Sequence, residues 1–182
     1  MLELQPIGTI HTPFKKREGM PIQPAGARGV RGTVEIEPGF APGLKDLDGF
    51  SHVILLFHFH RSEGYRLVTK PFMDDVPRGV FATRAPRRPN PIGLSVVRLV
   101  GVKDNVMEIE DVDMLDGTPL LDIKPYVPEF ETPQEFRLGW LEKARGRVRK
   151  HRSDNRFKDQ SRVTDPPEER PTGIDPDIEE ER

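Results

Sequence analysis

Apolar and polar side chains alternate in several short segments of the first 133 residues. In GTVEIEPG (32–39), Val34 and Ile36 are apolar, whereas Thr33, Glu35 and Glu37 are polar. This period of two predicts a half-buried β-strand. Less regular versions of the pattern predict further strands in LQPIGTIHTP (4–13), GVFATR (79–84), GLSVVRLVGVKD (93–104), NVMEIEDV (105–112) and TPLLDIKPY (118–126).

The strongest apolar run is SHVILLFHFH, residues 51–60. Alternate positions place Val53, Leu55, Phe57 and Phe59 on one face, while the opposite face mixes aliphatic residues with histidines. Both faces are partly apolar, which predicts a central strand with a histidine-rich polar end. KDN at 103–105 predicts a hairpin turn between two of the later strands.

No long helical pattern alternates with these strands, so a doubly wound parallel sheet is not expected. Many short strands separated by proline and glycine turns favour an all-β fold, a compact antiparallel β-barrel or sandwich. The 19 prolines and 16 glycines among 182 residues agree with such a loop-rich domain.

The period changes after Pro133. Phe136, Trp140, Ala144 and Val148 recur every four residues, which predicts a C-terminal amphipathic helix of about four turns. Residues 134–162 carry 10 lysines and arginines against 4 acidic residues, whereas 163–182 carry 2 against 8. We therefore expect a barrel at 1–133, a basic helical extension at 134–162 and an acidic, proline-rich disordered tail at 163–182.

The composition excludes several classes of function. There is no cysteine, so a disulfide framework, a thiolate zinc site and a thiol nucleophile are ruled out. No apolar run approaches the ~20 residues that span a bilayer, and no secretory signal is evident, so a cytoplasmic protein without a membrane span is expected. Gly-x-Gly-x-x-Gly and P-loop motifs are absent.

ATRAPRRPNPIGLS, residues 82–95, combines three prolines with three arginines. Proline fixes φ and removes a backbone donor, and Gly93 would permit a conformation closed to other residues. Arg84, Arg87 and Arg88 supply forked donors that suit phosphates, carboxylates or carbonyls. The segment therefore predicts a stiff, positively charged loop.

Three other segments contain residues capable of chemistry. His58, His60 and Glu63 approach a cupin-like metal pattern, but the glutamate spacing is too short, so ordinary structural histidines and no metal site are expected. DMLDGTPLLDIKPY (113–126) reads as a turn followed by an edge strand, with Asp122 and Lys124 on one face. The glycine-rich MPIQPAGARGVRG (20–32) predicts a mobile surface loop or a ligand-covering flap.

In order along residues 5–130, the chain resembles the TsaA-like family of tRNA methyltransferases. The resemblance rests on RGTVEIEPGFAPGLKDLDGFSHVILLFHFH (31–60), GVFATRAPRRPNPIGLSVVRL (79–99) and DMLDGTPLLDIKPY (113–126). It implies a homodimeric antiparallel barrel that binds S-adenosyl-L-methionine and methylates N6 of N6-threonylcarbamoyl-adenosine at tRNA position 37, beside the anticodon.

The resemblance also implies site residues. Cofactor contacts are expected from Pro24, Ala25, Gly26, His60, Arg61, Arg84, Leu94, Leu115, Asp116, Gly117 and Thr118. Two departures affect the substrate assignment: the folded C-terminal domain typical of bacterial members has no evident counterpart, and Pro86-Arg87 stands where those members often have an aromatic residue beside a lone arginine.

The implied chemistry limits what the protein must supply. A sulfonium methyl group is already activated, so transfer chiefly requires placement of the acceptor nitrogen. A carbamoylated N6 is a poor nucleophile and would benefit from losing its proton. The candidate catalytic residues are Asp122, Lys124 and Tyr126. The candidates for binding the substrate, a tRNA, are Arg87, Arg88 and Asn90.

Three alternatives stay open at this point. A non-catalytic barrel could bind RNA through the basic segment, without methyl transfer. A methyltransferase of the same kind could act on a different modified nucleoside or on a small-molecule acceptor. A metal-dependent, cupin-like enzyme that uses His58 and His60 is a third and weaker hypothesis.

Overall fold

The computed structural model describes residues 3–133, 135–144 and 152–154. Its main feature is a closed six-stranded barrel in which every neighbouring pair of strands is antiparallel. The barrel strands are β1 (Gly8–His11), β2 (Arg31–Ile36), β3 (His52–His58), β6 (Ile92–Lys103), β7 (Val106–Glu110) and β8 (Thr118–Pro125), in the spatial order β1-β2-β7-β6-β3-β8.

Smaller elements lie outside the barrel. β4 (Val68–Thr69) and β5 (Arg78–Gly79) form a two-stranded sheet. The described helices are α1 (Pro128–Glu131) and 3₁₀ turns at Pro24–Gly26, Pro38–Leu44, Leu47–Gly49, Val80–Ala82 and Gly139–Ala144.

The barrel interior follows the alternation in the sequence. Val53, Leu55 and Phe57 on β3 point into the core, and so do Val34 and Ile36 on β2. Burial of these side chains supplies the main stabilisation, at about 25 cal/mol per Å² of apolar surface. The all-β antiparallel barrel expected from the pattern is confirmed.

The predicted hairpin at 103–105 forms as the β6–β7 turn. Lys103 pairs with Val106 across the two strands, and Asp104 adopts a left-handed φ of 55°. The Asn105 side chain donates a 2.7 Å hydrogen bond to the Ile36 carbonyl, which ties the turn to β2.

One local prediction is wrong, and a second is answered only in part. GVFATR does not form a strand: only Gly79 belongs to β5, and Val80–Ala82 is a 3₁₀ turn that buries Val80 and leaves Phe81 75% exposed. The segment MPIQPAGARGVRG, predicted as a mobile surface loop or a ligand-covering flap, has Met20 and Ala27 buried and a 3₁₀ turn between them. The role of a flap stays a prediction.

The described start of the C-terminal segment also differs from the expected four-turn helix. Residues 135–138 have no helical structure, and Gly139–Ala144 forms a 3₁₀ turn. The Trp140 indole N–H donates a 2.8 Å hydrogen bond to the Ala82 carbonyl, and the Arg78 guanidinium lies 5.9 Å from the ring centroid. These contacts hold Trp140 in a 3₁₀ turn in place of the predicted α-helix. The predicted acidic disordered tail lies outside the described residues.

Candidate functional site

An open cleft of about 350 Å³ lies at one end of the barrel, where β3 ends and where β6 and β8 begin. This is within the size range of small-molecule sites. Its lining is mainly apolar and includes three aromatic rings. The lining comprises Arg17, Met20–Gln23, Phe57, Phe59–Ser62, Phe72, Thr83, Arg84, Pro86, Arg88, Ile92–Ser95, Asp113–Leu115, Thr118, Ser153 and Asp154.

The floor of the cleft depends on close contact between β3 and β6. Phe57 pairs with Gly93 in register, and a Cβ built on Gly93 would lie 2.3 Å from the Phe57 ring. Gly93 has no positive φ. The expectation that this glycine provides an unusual backbone conformation is therefore wrong, because it provides space for the ring. Phe59 packs edge-on against Phe57, with ring centroids 5.4 Å apart.

A hydrogen-bonded pair of polar side chains lies in this apolar setting. The Ser95 hydroxyl, on β6, donates a 2.7 Å hydrogen bond to Asp113 Oδ1, and Ser95 is only 2% exposed. Burial raises the pKa of Asp113 to about 6, against the opposing effects of the Ser95 hydrogen bond, a backbone hydrogen bond and the charge of Arg84. The Asp113 carboxyl can therefore exchange a proton near neutral pH.

The arginines of the proline loop are largely held by neighbouring oxygen atoms. Arg88 Nη1 donates to the carbonyls of residues 80, 83 and 85, at 3.2, 2.9 and 3.4 Å. Arg87 Nε donates to the Glu63 carbonyl at 3.1 Å, and Arg84 Nη1 donates to Gln23 Oε1 at 3.0 Å. Prolines and arginines together brace this loop against its neighbours.

The loop between β7 and β8 is fixed to the end of β1. Thr12 Oγ1 donates to the Met114 carbonyl at 2.9 Å, and the Thr12 amide donates to Asp116 Oδ1 at 3.1 Å. Thr118 Oγ1 closes the turn through a 2.7 Å bond to the Leu115 carbonyl. These bonds turn Leu115 and Thr118 towards the cleft, whereas Asp116 lines a neighbouring depression with His11.

His60 follows the end of β3 and lies on the cleft wall. Burial, the charge of Arg61 and the neighbouring His58 lower the pKa of His60, so its imidazole is neutral at pH 7. His60 Nδ1 and Thr118 Oγ1 are 3.5 Å apart. Burial and the Arg61 charge also lower the pKa of Arg17, which indicates a positively charged rim.

The predicted cofactor residues divide between the cleft and its surroundings. His60, Arg61, Arg84, Leu94, Leu115 and Thr118 line the cleft. Pro24, Ala25, Gly26, Asp116 and Gly117 are not among its lining residues, although Gln23 precedes the first three and does line it. The cofactor role of both groups stays a prediction.

The structure does not bring the candidate catalytic residues to the cleft. Asp122 and Lys124, on β8, form an ion pair of 2.8 Å, and Tyr126 packs edge-on against His52. Neither the three candidates nor the predicted substrate residues Arg87 and Asn90 line the cleft, whereas Arg88 does. The predicted substrate and catalytic roles stay predictions.

Sequence reasoning missed several cleft residues: Arg17, Phe57, Phe59, Phe72, Ser95 and Asp113. Ser95 and Asp113 stand within two of the quoted motifs. The sequence did offer a signal for these two residues, because the serine ends the proline loop and the aspartate directly follows a predicted strand.

The described residues show no cupin-like metal arrangement. Within 3–133, 135–144 and 152–154, no group of three or more histidine, aspartate or glutamate side chains is arranged to hold a metal ion. In that part of the chain there is also no helix long and apolar enough to cross a membrane.

Comparisons with known proteins agree on one family. The sequence model of the tRNA-methyltransferase O N-terminal domain matches residues 9–132. A probable S-adenosyl-L-methionine-binding protein of Pyrococcus abyssi is 56% identical over 157 residues, which cover 86% of this chain and 85% of that protein. The tRNA (adenine(37)-N6)-methyltransferase of Mus musculus is 37% identical over 139 residues, covering 72% of this chain and 32% of the mouse protein.

A solved structure gives the same result. The crystal structure of TrmO from Pseudomonas aeruginosa aligns with a TM-score of 0.65 and 42% sequence identity, covering 77% of this chain and 62% of that chain. This chain therefore spans most of the Pyrococcus protein but only about a third of the mouse protein.

Proposed function

The chain belongs to the family defined by the tRNA-methyltransferase O N-terminal domain, and we propose that it methylates N6 of adenosine 37 in tRNA, with S-adenosyl-L-methionine as the methyl donor. The finer proposal is that the acceptor is N6-threonylcarbamoyl-adenosine. The observation that carries the proposal is the cleft at the barrel end, where six predicted cofactor residues meet, all of them within the matched residues.

The residues of the cleft fit such a methyl donor. Phe57, Phe59 and Leu94 offer apolar surface to a flat adenine and to a thioether chain. Arg17 and Arg61 on the rim suit the carboxylate of the amino-acid end. When bound, S-adenosyl-L-methionine supplies a methyl group that is activated by the sulfonium charge. The barrel binds the donor, orients the acceptor and excludes water.

The acceptor would reach the cleft from its charged rim. Arginines at the rim attract the tRNA backbone and the carboxylate of a threonylcarbamoyl group. Because Arg88 is already bonded to three carbonyls, its contribution is to hold the loop in shape for substrate contact.

A homodimer and a cytoplasmic location belong to the proposal as predictions from the resemblance. Asp122, Lys124 and Tyr126 lie outside the cleft of their own chain. They would therefore keep their predicted catalytic role only by serving the cleft of a second copy. Phe130 and Phe136 are strongly exposed and could contribute to such a contact.

The proposal is tested by methyl transfer in vitro. The purified chain is incubated with S-adenosyl-L-methionine and one of two tRNAs, which carry either adenosine or N6-threonylcarbamoyl-adenosine at position 37. Nucleosides from the digested tRNA are then identified by mass spectrometry. We expect one added methyl on N6 of the threonylcarbamoyl form, and a lower yield from Arg84→Ala.

Each other outcome has a definite meaning. Methylation of the unmodified adenosine alone would keep the enzyme class and overturn the finer substrate. Binding of tRNA without any methylation would favour the non-catalytic RNA-binding barrel. A requirement for stoichiometric metal would favour the cupin-like hypothesis.

A further inference from the structure

Asp113 is a titratable group in the cleft that none of the roles above uses. It follows β7 and is hydrogen-bonded to the buried Ser95 of β6. The carboxylates among the described cleft-lining residues are Asp113 and Asp154. Asp154 is exposed, whereas Asp113 lies beside the strand that forms the floor. Asp113 is therefore the carboxyl placed where a reacting nitrogen would be shielded from water.

We propose that the Asp113 carboxylate is the proton acceptor for the nitrogen that is methylated. The inference rests on the proposed function. As the N6 lone pair forms the new N–C bond, the S–C bond breaks and its electron pair stays on sulfur. The N6 proton passes to Asp113, which afterwards releases it to solvent. The products are methylated nucleoside, S-adenosylhomocysteine and a proton, so atoms and charge balance.

The charged groups around Asp113 come from every wall of the cleft. Arg84 and Arg88 lie on the proline loop, His60 and Arg61 follow β3, and Arg17 precedes the glycine-rich segment. The positive charges favour the ionised carboxylate and oppose protonation of His60. His60 is the rival proton acceptor, because its neutral imidazole can take up a proton at pH 7.

The ionisation of Asp113 suits the proposed role. A general base is most effective when its pKa lies near the working pH. With a pKa of about 6, Asp113 is about half ionised at pH 6 and almost fully ionised at pH 8. We therefore expect the transfer rate to rise about twofold from pH 6 to pH 8, and about tenfold per pH unit well below pH 6.

Ser95 offers a way to distinguish Asp113 from His60. Its hydroxyl donates to Asp113 and lowers the pKa of that carboxyl. Ser95→Ala removes this hydrogen bond, so the pKa of Asp113 should rise. The acid limb of the pH–rate profile, which is the range where the rate increases with pH, should then move to higher pH. The ratio of the rates at pH 8 and pH 6 should therefore increase above twofold. If His60 is the titrating base, the ratio should not change.

The experiment compares wild-type protein with Asp113→Asn, Ser95→Ala and Asp104→Asn. The last variant makes the same chemical change in the exposed β6–β7 turn, far from the cleft. Single-turnover transfer to tRNA is measured from pH 5 to pH 9. Donor binding is measured by titration calorimetry, and the Asp113 carboxyl is titrated by ¹³C NMR in the unliganded protein.

We expect Asp113→Asn to bind the donor normally and to slow transfer about 100-fold or more, with its acid limb lost. Asp104→Asn should match wild type. NMR should give a pKa of about 6 for Asp113 and a higher value in Ser95→Ala. The inference would be overturned if Asp113→Asn transferred the methyl group at a rate within threefold of wild type, or if Asp113→Asn no longer bound the donor. It would also be overturned if the pH dependence of the rate in Ser95→Ala matched that of wild type. Absence of donor binding in wild type would instead overturn the proposed function.

Discussion

Gly93 occupies a point on β6 where even one methyl group does not fit. A Cβ at this position would lie 2.3, 2.4 and 2.9 Å from three atoms of the Phe57 ring. Phe57 is almost fully buried and packs edge-on against Phe59, so a shift of its ring would disturb the packing around it. We predict that Gly93→Ala destabilises the barrel by about 1–3 kcal/mol, the usual range for an overpacked core. For a chain of this size, the melting temperature should fall by roughly 2–12 °C.

A double-mutant cycle tests this cause directly. Leucine at position 57 lacks the ring atoms nearest to the added methyl, so Phe57→Leu should relieve the clash. Alone, Phe57→Leu should cost about 1–2 kcal/mol through the cavity that it leaves. We expect the Gly93→Ala/Phe57→Leu protein to be more stable than the sum of the single changes predicts, with a coupling energy of at least about 1 kcal/mol.

Gly101 provides the matched control on the same strand. Nothing lies within 4 Å of a Cβ built there, and its φ is not positive. Gly101→Ala should therefore be neutral or stabilise by up to about 1 kcal/mol, because it reduces the entropy of the unfolded chain. Stability is measured by urea unfolding with a common m value. Additive effects of Gly93→Ala and Phe57→Leu within about 0.5 kcal/mol would refute the steric explanation.

Three further predictions concern the surroundings of the cleft. Arg88→Met keeps the aliphatic stem but removes Nη1, which donates to three carbonyls, so urea unfolding should find it about 2 kcal/mol less stable; stability equal to wild type would contradict the bracing role. Asp116 has a lowered pKa, chiefly through its hydrogen bond to Lys15, so its stabilising effect is present above about pH 4 and is lost as pH falls through the folded-state pKa. Asp116→Asn should therefore flatten the fall of melting temperature in acid, and an unchanged slope would oppose this assignment. Trp140 is the single tryptophan and stacks with Arg78, so Arg78→Ala should increase acrylamide quenching of its fluorescence, whereas equal quenching would argue against docking.

The barrel was predictable because a half-buried strand leaves a direct record in the sequence. Val34 and Ile36 alternate with polar neighbours, and the same residues form the inner face of β2. GVFATR was too short to show a reliable alternation of apolar and polar residues. Val80 is buried but Phe81 points to solvent, so the apolar residues of this segment did not indicate a strand. The four-residue period after Pro133 likewise gave no information on the contact that holds Trp140 against the Val80–Ala82 turn.

The site was predictable only in part. Motif resemblance identified His60, Arg84 and Leu94, which line the cleft. It did not identify Asp113, because the properties of that carboxyl arise from its burial beside Ser95, and the two residues are brought together by the pairing of β6 with β7. The role of Gly93 was also hidden, since the ring that requires it belongs to another strand.

The central claim is that the cleft at the barrel end binds the methyl donor. Titration calorimetry of S-adenosyl-L-methionine into the wild-type chain and into Arg84→Ala tests it most directly. We predict one bound molecule per chain for wild type and weaker binding for Arg84→Ala, because Arg84 lines the cleft and holds Gln23. No binding to the wild-type chain, or equal affinity in the two proteins, would contradict the account.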